Sequence, residues 1–291
     1  MFPEIFRIGP IPLNSYGFMI AVGFLTSIYF IQRDAEKAGI DPKKFADIAF
    51  MALPIGLLGA RLAHIIFYSQ FYSWSDPIGW IAVWKGGLVF QGGPPMALIY
   101  AVYVLRKHQI PFWTAADIVF PWIALGHGLG RIGCVLKGCC YGAPTDLPWG
   151  IRFPKIVDED KDLITGSPAY LDHLDQFSEI TVASTHSLTI HPTQLYSFFG
   201  LMTILAIMLL LRKYWKPFTG FTFPVYLIIY SAFRFWVEAL RGDHNPQYVM
   251  DLSLQQIFCL IGIIVGIVGF FVLRTYQRKH AEAPKTPQSN D

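Results

Sequence analysis

Seven long stretches of this chain are almost free of charge, and each is of helical length. They cover residues 16–31, 45–67, 88–105, 118–136, 195–211, 220–240 and 254–273. About 20 consecutive apolar residues in a helix cross the hydrocarbon core of a bilayer. The runs are continuous rather than alternating with a period of two, which argues against a β-barrel. Composition agrees: 15% of the 291 residues are charged, against about 25% in soluble domains, and the mean hydropathy is +0.41. The expected fold is an all-α polytopic membrane protein with about seven transmembrane helices.

The net charge of +3 says little, but its placement sets an orientation. Lysine and arginine gather in alternate connections: Arg33, Lys37, Lys43 and Lys44, then Arg106 and Lys107, then Arg212, Lys213 and Lys216, then Arg274, Arg278, Lys279 and Lys285. The short connections on the other side hold only Arg7, Lys85 and Arg241. Cytoplasmic loops carry the excess of basic residues, so the N-terminus is expected outside and the C-terminus in the cytoplasm, as an odd number of spans requires. The basic n-region and small-residue cleavage site of a secretory signal peptide are not visible at the start of the chain.

One long interruption, residues 137–194, holds an acid-rich run, Asp158-Glu159-Asp160-Lys161-Asp162, and several prolines. It reads as a small extracytoplasmic head between spans four and five, too short for a sizeable core of its own. The expected organisation is spans one to four in 1–136, the head in 137–194, spans five to seven in 195–275 and a polar cytoplasmic tail in 276–291.

Three arginines lie deep inside the apolar runs: Arg61, Arg131 and Arg234. Each costs roughly 2.5–3.5 kcal/mol at the centre of a membrane helix on insertion scales. The same runs offer one nearby carboxylate, Glu238, at i,i+4 from Arg234, so the surplus positive charge calls for an anion from outside the chain. In a membrane that anion is a phospholipid headgroup. Arg61 and Arg131 each have a histidine about one turn away, His64 and His127. Arg131 sits among Gly126, Gly128, Gly130 and Gly133 with no acid within a turn, so a bulky headgroup could reach its planar fork. Arg234 with Glu238 reads equally as a structural ion pair, with Arg241 at the outer end. All three spans approach the outer face near these residues and could meet around one cavity. For Gly56 and Gly59 close helix packing is the simpler reading.

Cys134, Cys139 and Cys140 lie near the outer surface. Cys-x4-Cys-Cys is not a zinc spacing, so no metal is expected; a disulfide and a catalytic thiol both stay open, and Cys259 reads as helix packing. His191-Pro192-Thr193-Gln194-Leu195-Tyr196 opens the fifth run as a polar entry to a helix.

At these residues the chain resembles the prolipoprotein diacylglyceryl transferases, bacterial inner-membrane enzymes. The likeness runs nearly end to end and in order. It takes in Tyr16-Gly17, Gly59-Ala60-Arg61, Gly86-Gly87-Leu88 with Gly92-Gly93, and Gly130-Arg131-Ile132-Gly133 with Gly142. It continues through His191-Pro192 with Gln194-Leu195-Tyr196, Phe233-Arg234-Phe235 with Glu238 and Arg241, and Gln256. Each motif is short; their ordered set is specific. The resemblance implies a multi-pass protein of the bacterial cytoplasmic membrane. It would transfer diacylglyceryl from phosphatidylglycerol to the lipobox cysteine of a preprolipoprotein signal peptide, releasing glycerol phosphate. It implies phosphate binding by Arg131, Arg234 and Arg61, with Glu238, Tyr16, Gln91, Gly92, Gly93 and Arg241 in support. Two departures stand out. Gln91 occupies a position where the family often has histidine, and a neutral amide cannot be a general base. Cys134, Lys137 and Cys139 stand where the family usually has two asparagines and a glutamate. That leaves His127 and His191 as candidate bases.

An unperturbed thiol has a pKa of about 8.5, so only a few per cent is thiolate at neutral pH, while a phosphate leaving group suits an arginine cluster. No cofactor or nucleotide motif is present, and no nucleic acid partner is expected. A transporter or flippase of an anionic lipid is the competing reading. It would need an inverted repeat or a charged path through both halves of the membrane, and neither is visible.

Overall fold

Each of the seven apolar runs forms a helix in the structure, a computed structural model that describes residues 4–8, 11–73, 76–83, 86–158, 163–164, 167–243 and 248–282. Lys85, most of the acid-rich run (159–162) and the end of the tail with Lys285 lie outside the described residues. In chain order the long helices are α1 (Ser15–Lys37), α2 (Pro42–Phe67), α4 (Gly93–Lys107), α5 (Phe112–Lys137), α7 (Thr193–Tyr214), α8 (Thr222–Ala239) and α9 (Leu254–Glu282). Two short ones, α3 (Pro77–Ile81) and α6 (Pro168–Gln176), sit in the connections. Five helices, α1, α2, α5, α7 and α9, are long and apolar enough to cross a membrane. The protein is therefore a polytopic helical membrane protein.

The other two fall short for identifiable reasons. At 1.5 Å per residue, the 15 residues of α4 reach roughly 22 Å. The third run starts as a helix five residues late, because Gly86 and Gly87 adopt φ of 86° and 70° and Phe90–Gly92 form a single 3₁₀ turn. The 18 residues of α8 contain Arg234 and Glu238, which lower its apolarity. At the other end of the chain α9 runs on to Glu282, so the first part of the expected tail is helical.

Strands appear only as three antiparallel pairs among the described residues, none foreseen from the apolar pattern. β1 (Glu4–Ile8) pairs with β2 (Ile11–Asn14), with Phe6 opposite Leu13 and Ile8 opposite Ile11. β3 (Val157–Asp158) pairs with β4 (Leu163–Ile164), and β5 (Tyr248–Val249) with β6 (Leu252–Ser253). The last pair leads into α9 through a reciprocal cap: Ser253 N–H donates to Gln256 Oε1 at 2.9 Å and Gln256 N–H to Ser253 Oγ at 3.1 Å. Gln256 is thus a helix-start residue.

The chain divides into two units, Ile28–Ile118 and the remainder. Within the first, α2 and α4 approach so closely that a Cβ on Gly59 or Gly92 would strike the other's carbonyl oxygen. Gly92 and Gly59 serve backbone contact there. Within the second, α1 meets α5 where Ser27 Oγ donates to the Trp122 carbonyl at 2.9 Å, and α9 and α7 both pack against α8.

The connection from Gly138 to Pro192 does build a small core: Tyr141, Phe153, Ala169 and Ile190, with Ile151 against it. Ser167 caps α6 by accepting from Tyr170 N–H at 3.2 Å. Tyr141 donates to Asp172 at 2.7 Å, and burial followed by this bond pushes the Tyr141 phenol above its ordinary range. His173 on α6 is 1% exposed, accepts from Leu188 N–H at 3.2 Å, and is held below the usual histidine range by burial.

Candidate active site

Arg131 lies two turns before the end of α5, and Arg234 one turn and a half before the end of α8. Among the described residues Arg131 has no carboxylate partner. Its Nε and Nη2 face Nε2 of His127 at 3.3 and 3.1 Å, while Nη1 has no partner there. His127 accepts through Nε2, which puts its ring proton on Nδ1. The His127 ring in turn lies 5.6 Å from Tyr230 of α8, which stacks on Tyr226 at 5.5 Å.

Arg234 is engaged differently. Its Nη2 lies 2.6 Å from Glu238 Oε2, with both side chains nearly buried at 11% and 3% exposure. Arg241 stands 3.8 Å from the same oxygen and makes a two-pronged bond to Asp243, Nε to Oδ1 at 2.8 Å and Nη2 to Oδ2 at 2.6 Å. Arg131 and Arg241 both act on Arg234 from Coulombic range. Three guanidiniums therefore face two carboxylates, and the surplus is one positive charge. The sequence pointed to a surplus of two because it counted Arg61 with Arg131 and Arg234; Arg241 and Asp243 add one charge of each sign and cancel.

Arg61 is held by backbone rather than by side chains. It is 7% exposed, and backbone carbonyls surround its guanidinium: Trp80 at 3.1 Å from Nε, Gly86 and Gly87 each at 2.7 Å from Nη1, and Gly79 on Nη2. The Tyr72 ring lies 5.1 Å away. Two successive residues at positive φ aim both glycine carbonyls at one nitrogen, and a Cβ on Gly87 would collide with that nitrogen. Gln91, on the 3₁₀ turn before α4, is exposed.

Tyr16, in the first turn of α1, packs against Gly133 of α5, and Lys137 Nζ sits 5.4 Å from its ring centre. His191 belongs to a backbone zipper. Gly142 N–H donates to the His191 carbonyl and His191 N–H to the Ala143 carbonyl, both at 3.0 Å. On its other edge the same segment takes a 2.9 Å bond from Ala143 N–H to the Leu240 carbonyl. The His191 ring approaches the Tyr196 hydroxyl at 3.5 Å, and no bond to Arg131 is seen.

Two features were missed in the sequence. Thr193 Oγ1 donates to the Cys140 carbonyl at 2.8 Å and Gln194 Nε2 to the Cys139 carbonyl at 2.9 Å. The polar entry to α7 thus binds the turn after α5 rather than facing the interface. Gln194 is fully buried, and its Oε1 has no hydrogen-bond partner among the described residues. The second feature is that the sulfurs of Cys134, Cys139 and Cys140 all lie within 4.8 Å of one another, as free thiols. Hydrogen bonds from the Cys134 and Cys139 thiols, with Arg131 and Arg241 nearby, hold Cys140 below the ordinary thiol range.

The whole chain is similar to known proteins. The family profile described as prolipoprotein diacylglyceryl transferase matches residues 3–272. A phosphatidylglycerol–prolipoprotein diacylglyceryl transferase of Proteus mirabilis (strain HI4320) is 32% identical, covering 99% of this chain and 98% of its own. Proteins of the same description from Acaryochloris marina and Thermosynechococcus vestitus are 30% and 33% identical, covering 99% and 97% of this chain and 95% and 96% of their own.

Proposed function

The chain belongs to the prolipoprotein diacylglyceryl transferase family, and we propose that it transfers the diacylglyceryl group of phosphatidylglycerol to the lipobox cysteine of preprolipoproteins. The thiol sulfur bonds to the glycerol carbon next to the phosphate, the carbon–oxygen bond breaks, and glycerol phosphate leaves. The observation that carries this reading is Arg131, a cation on a membrane helix that, among the described residues, has no carboxylate partner and one guanidinium nitrogen uncommitted.

The surplus positive charge of the arginines attracts the negative charge of a phosphodiester. Arg131 binds that phosphate, and His127 orients the guanidinium through Nε2. As the carbon–oxygen bond breaks, charge grows on the phosphate and the fixed guanidiniums stabilise it, an effect worth most in a dry site. Arg234 forms the second wall, with Glu238 holding it in place and Asp243 holding Arg241. Because its Nε2 lone pair faces Arg131, His127 is a positioning residue rather than a free base. His191 braces the Tyr196 hydroxyl. For Arg61 the carbonyl cage supports a different role from lipid binding: it closes the turn that precedes α4.

The reading places seven helices across the bacterial cytoplasmic membrane, α4 with the preceding turn making the third crossing and α8 the sixth. The N-terminus and the 137–194 head lie outside and the C-terminus in the cytoplasm. The ends of α5 and α8 and the starts of α1, α7 and α9 then share the outer side.

Purified protein in phosphatidylglycerol vesicles should add one diacylglyceryl group to a lipobox peptide, read as a mass gain on its cysteine. Arg131→Ala should lower the rate about 10²–10³-fold, the usual loss when one preorganised donor to a developing anion is removed. Arg131→Lys should recover only part, because a point charge lacks the fork. Full transfer by the alanine variant, or none by the unaltered protein, would refute the reading.

A further inference from the structure

Three thiols converge where α5 ends. Gly138 turns the chain at φ 77°, and its N–H bonds to the Cys134 carbonyl at 2.8 Å; Cys139 N–H bonds to the same carbonyl at 3.2 Å. Cys140 follows at φ 58°, a conformation that a cysteine adopts only under constraint. The chain thereby folds back over the last helical turn and brings Cys139 and Cys140 beside Cys134. From the other side Thr193 and Gln194 pin both loop carbonyls. The turn is thus held at both ends, with three sulfurs within 4.8 Å of one another.

That donor set has a definite chemistry. Thiolates select soft ions such as zinc and copper(I). At a zinc–sulfur distance of about 2.3 Å, tetrahedral geometry puts sulfurs roughly 3.8 Å apart, inside the 4.8 Å within which these three lie. Three protein ligands leave a fourth position open, as catalytic zinc sites do.

We propose that Cys134, Cys139 and Cys140 bind one zinc ion and that its open position takes the sulfur of the acceptor cysteine. The activation step rests on the transfer reading above; the metal site does not. On coordination the acceptor thiol releases its proton to solvent, since a metal-bound thiol is deprotonated outright. The resulting thiolate attacks the glycerol carbon, the sulfur–carbon bond forms, and the electron pair of the broken carbon–oxygen bond goes to the phosphate. The zinc is unchanged. This device does without a general base, which suits a chain with Gln91 at the turn before α4 and with the His127 lone pair facing Arg131. Gln194 Oε1, buried and without a hydrogen-bond partner among the described residues, offers the incoming peptide an acceptor.

The test begins with metal content. Protein purified without chelator should hold about one zinc per chain by elemental mass spectrometry. Its cobalt-substituted form should show a thiolate-to-cobalt charge-transfer band. Cys139→Ser should lose the metal and much of the band, while Cys259→Ser, on α9, should keep both. A lipobox peptide should perturb the cobalt spectrum and its serine analogue should not. Metal-free protein should transfer about 30-fold more slowly at pH 7, the ratio of full to fractional thiolate at a pKa of about 8.5, and should recover as the pH approaches 9. Zinc-free protein with three alkylatable thiols, or a disulfide between any two of them, overturns the site. A cobalt spectrum indifferent to the peptide overturns the activation step. Zinc binding with no transfer by any sample refutes the function and leaves the site standing.

Discussion

Replacing Arg61 separates two roles that the sequence could not distinguish. Its guanidinium holds four backbone carbonyls, of Gly79, Trp80, Gly86 and Gly87. Gly86 is exposed, so water can replace that bond at little cost; the other three residues are partly buried. Hydrogen bonds from a charged donor contribute about 1.5–3 kcal/mol each, so three amount to roughly 4.5–9 kcal/mol if nothing relaxes. The segment can open locally, and opening caps the loss. At least about 3 kcal/mol should remain, the value of two such bonds at the low end. Arg61→Ala should therefore speed amide exchange over residues 76–92 by more than about 100-fold, at 1.4 kcal/mol per factor of ten. Hydrogen–deuterium exchange with mass spectrometry on the detergent-solubilised protein reads this directly. Unchanged exchange together with a tenfold higher KM for phosphatidylglycerol would refute the argument and return Arg61 to the lipid phosphate.

Glu238→Gln should cost less activity than Arg234→Ala in the vesicle assay, because an anionic lipid can partly take the place of the lost carboxylate beside Arg234. Equal losses of stability in the two variants with normal specific activity of the folded fraction would make the pair merely structural. A pH effect should come from His173, whose folded pKa is depressed by burial. Its contribution is fully present above the unfolded value of about 6.5 and is lost as pH falls from there through the folded value. Thermal melting at pH 7.5 and pH 5.5 should show this loss, and His173→Gln should diminish it; an identical melting difference in the variant would exclude His173 as its source.

The parts of the fold that were legible are those that solvent dictates. A continuous apolar run must satisfy its backbone within itself, so all seven runs could be read as helices. The late start of α4 was not legible, because the positive φ of Gly86 and Gly87 follows from the Arg61 cage, a contact across 25 residues. In the same way, Arg131 could be read as a cation lacking a carboxylate within its own helix, since helical spacing makes near neighbours countable. Asp243 could not be placed on Arg241, because that contact depends on how the chain leaves α8.

The thiols show where spacing stops being a guide. Metal-ligand patterns such as Cys-x2-Cys summarise turns of known geometry, and Cys-x4-Cys-Cys is not among them. Here the convergence depends on two left-handed residues, Gly138 and Cys140, and on Thr193 and Gln194 more than fifty residues further on. Neither is readable from the spacing of the cysteines. The same contacts explain why the polar opening of α7 misled: read alone, Thr193 and Gln194 are interfacial, whereas in the fold their side chains satisfy the carbonyls of Cys140 and Cys139. Removing the Gln194 amide would leave the Cys139 carbonyl without that donor as well as removing a buried acceptor, so the residue couples the thiol cluster to the start of α7. A polar side chain that is fully buried yet half satisfied is costly unless something completes it. Among the described residues the missing partner is a donor, and under the proposal above the backbone of an extended peptide bringing its cysteine to the three sulfurs would carry one.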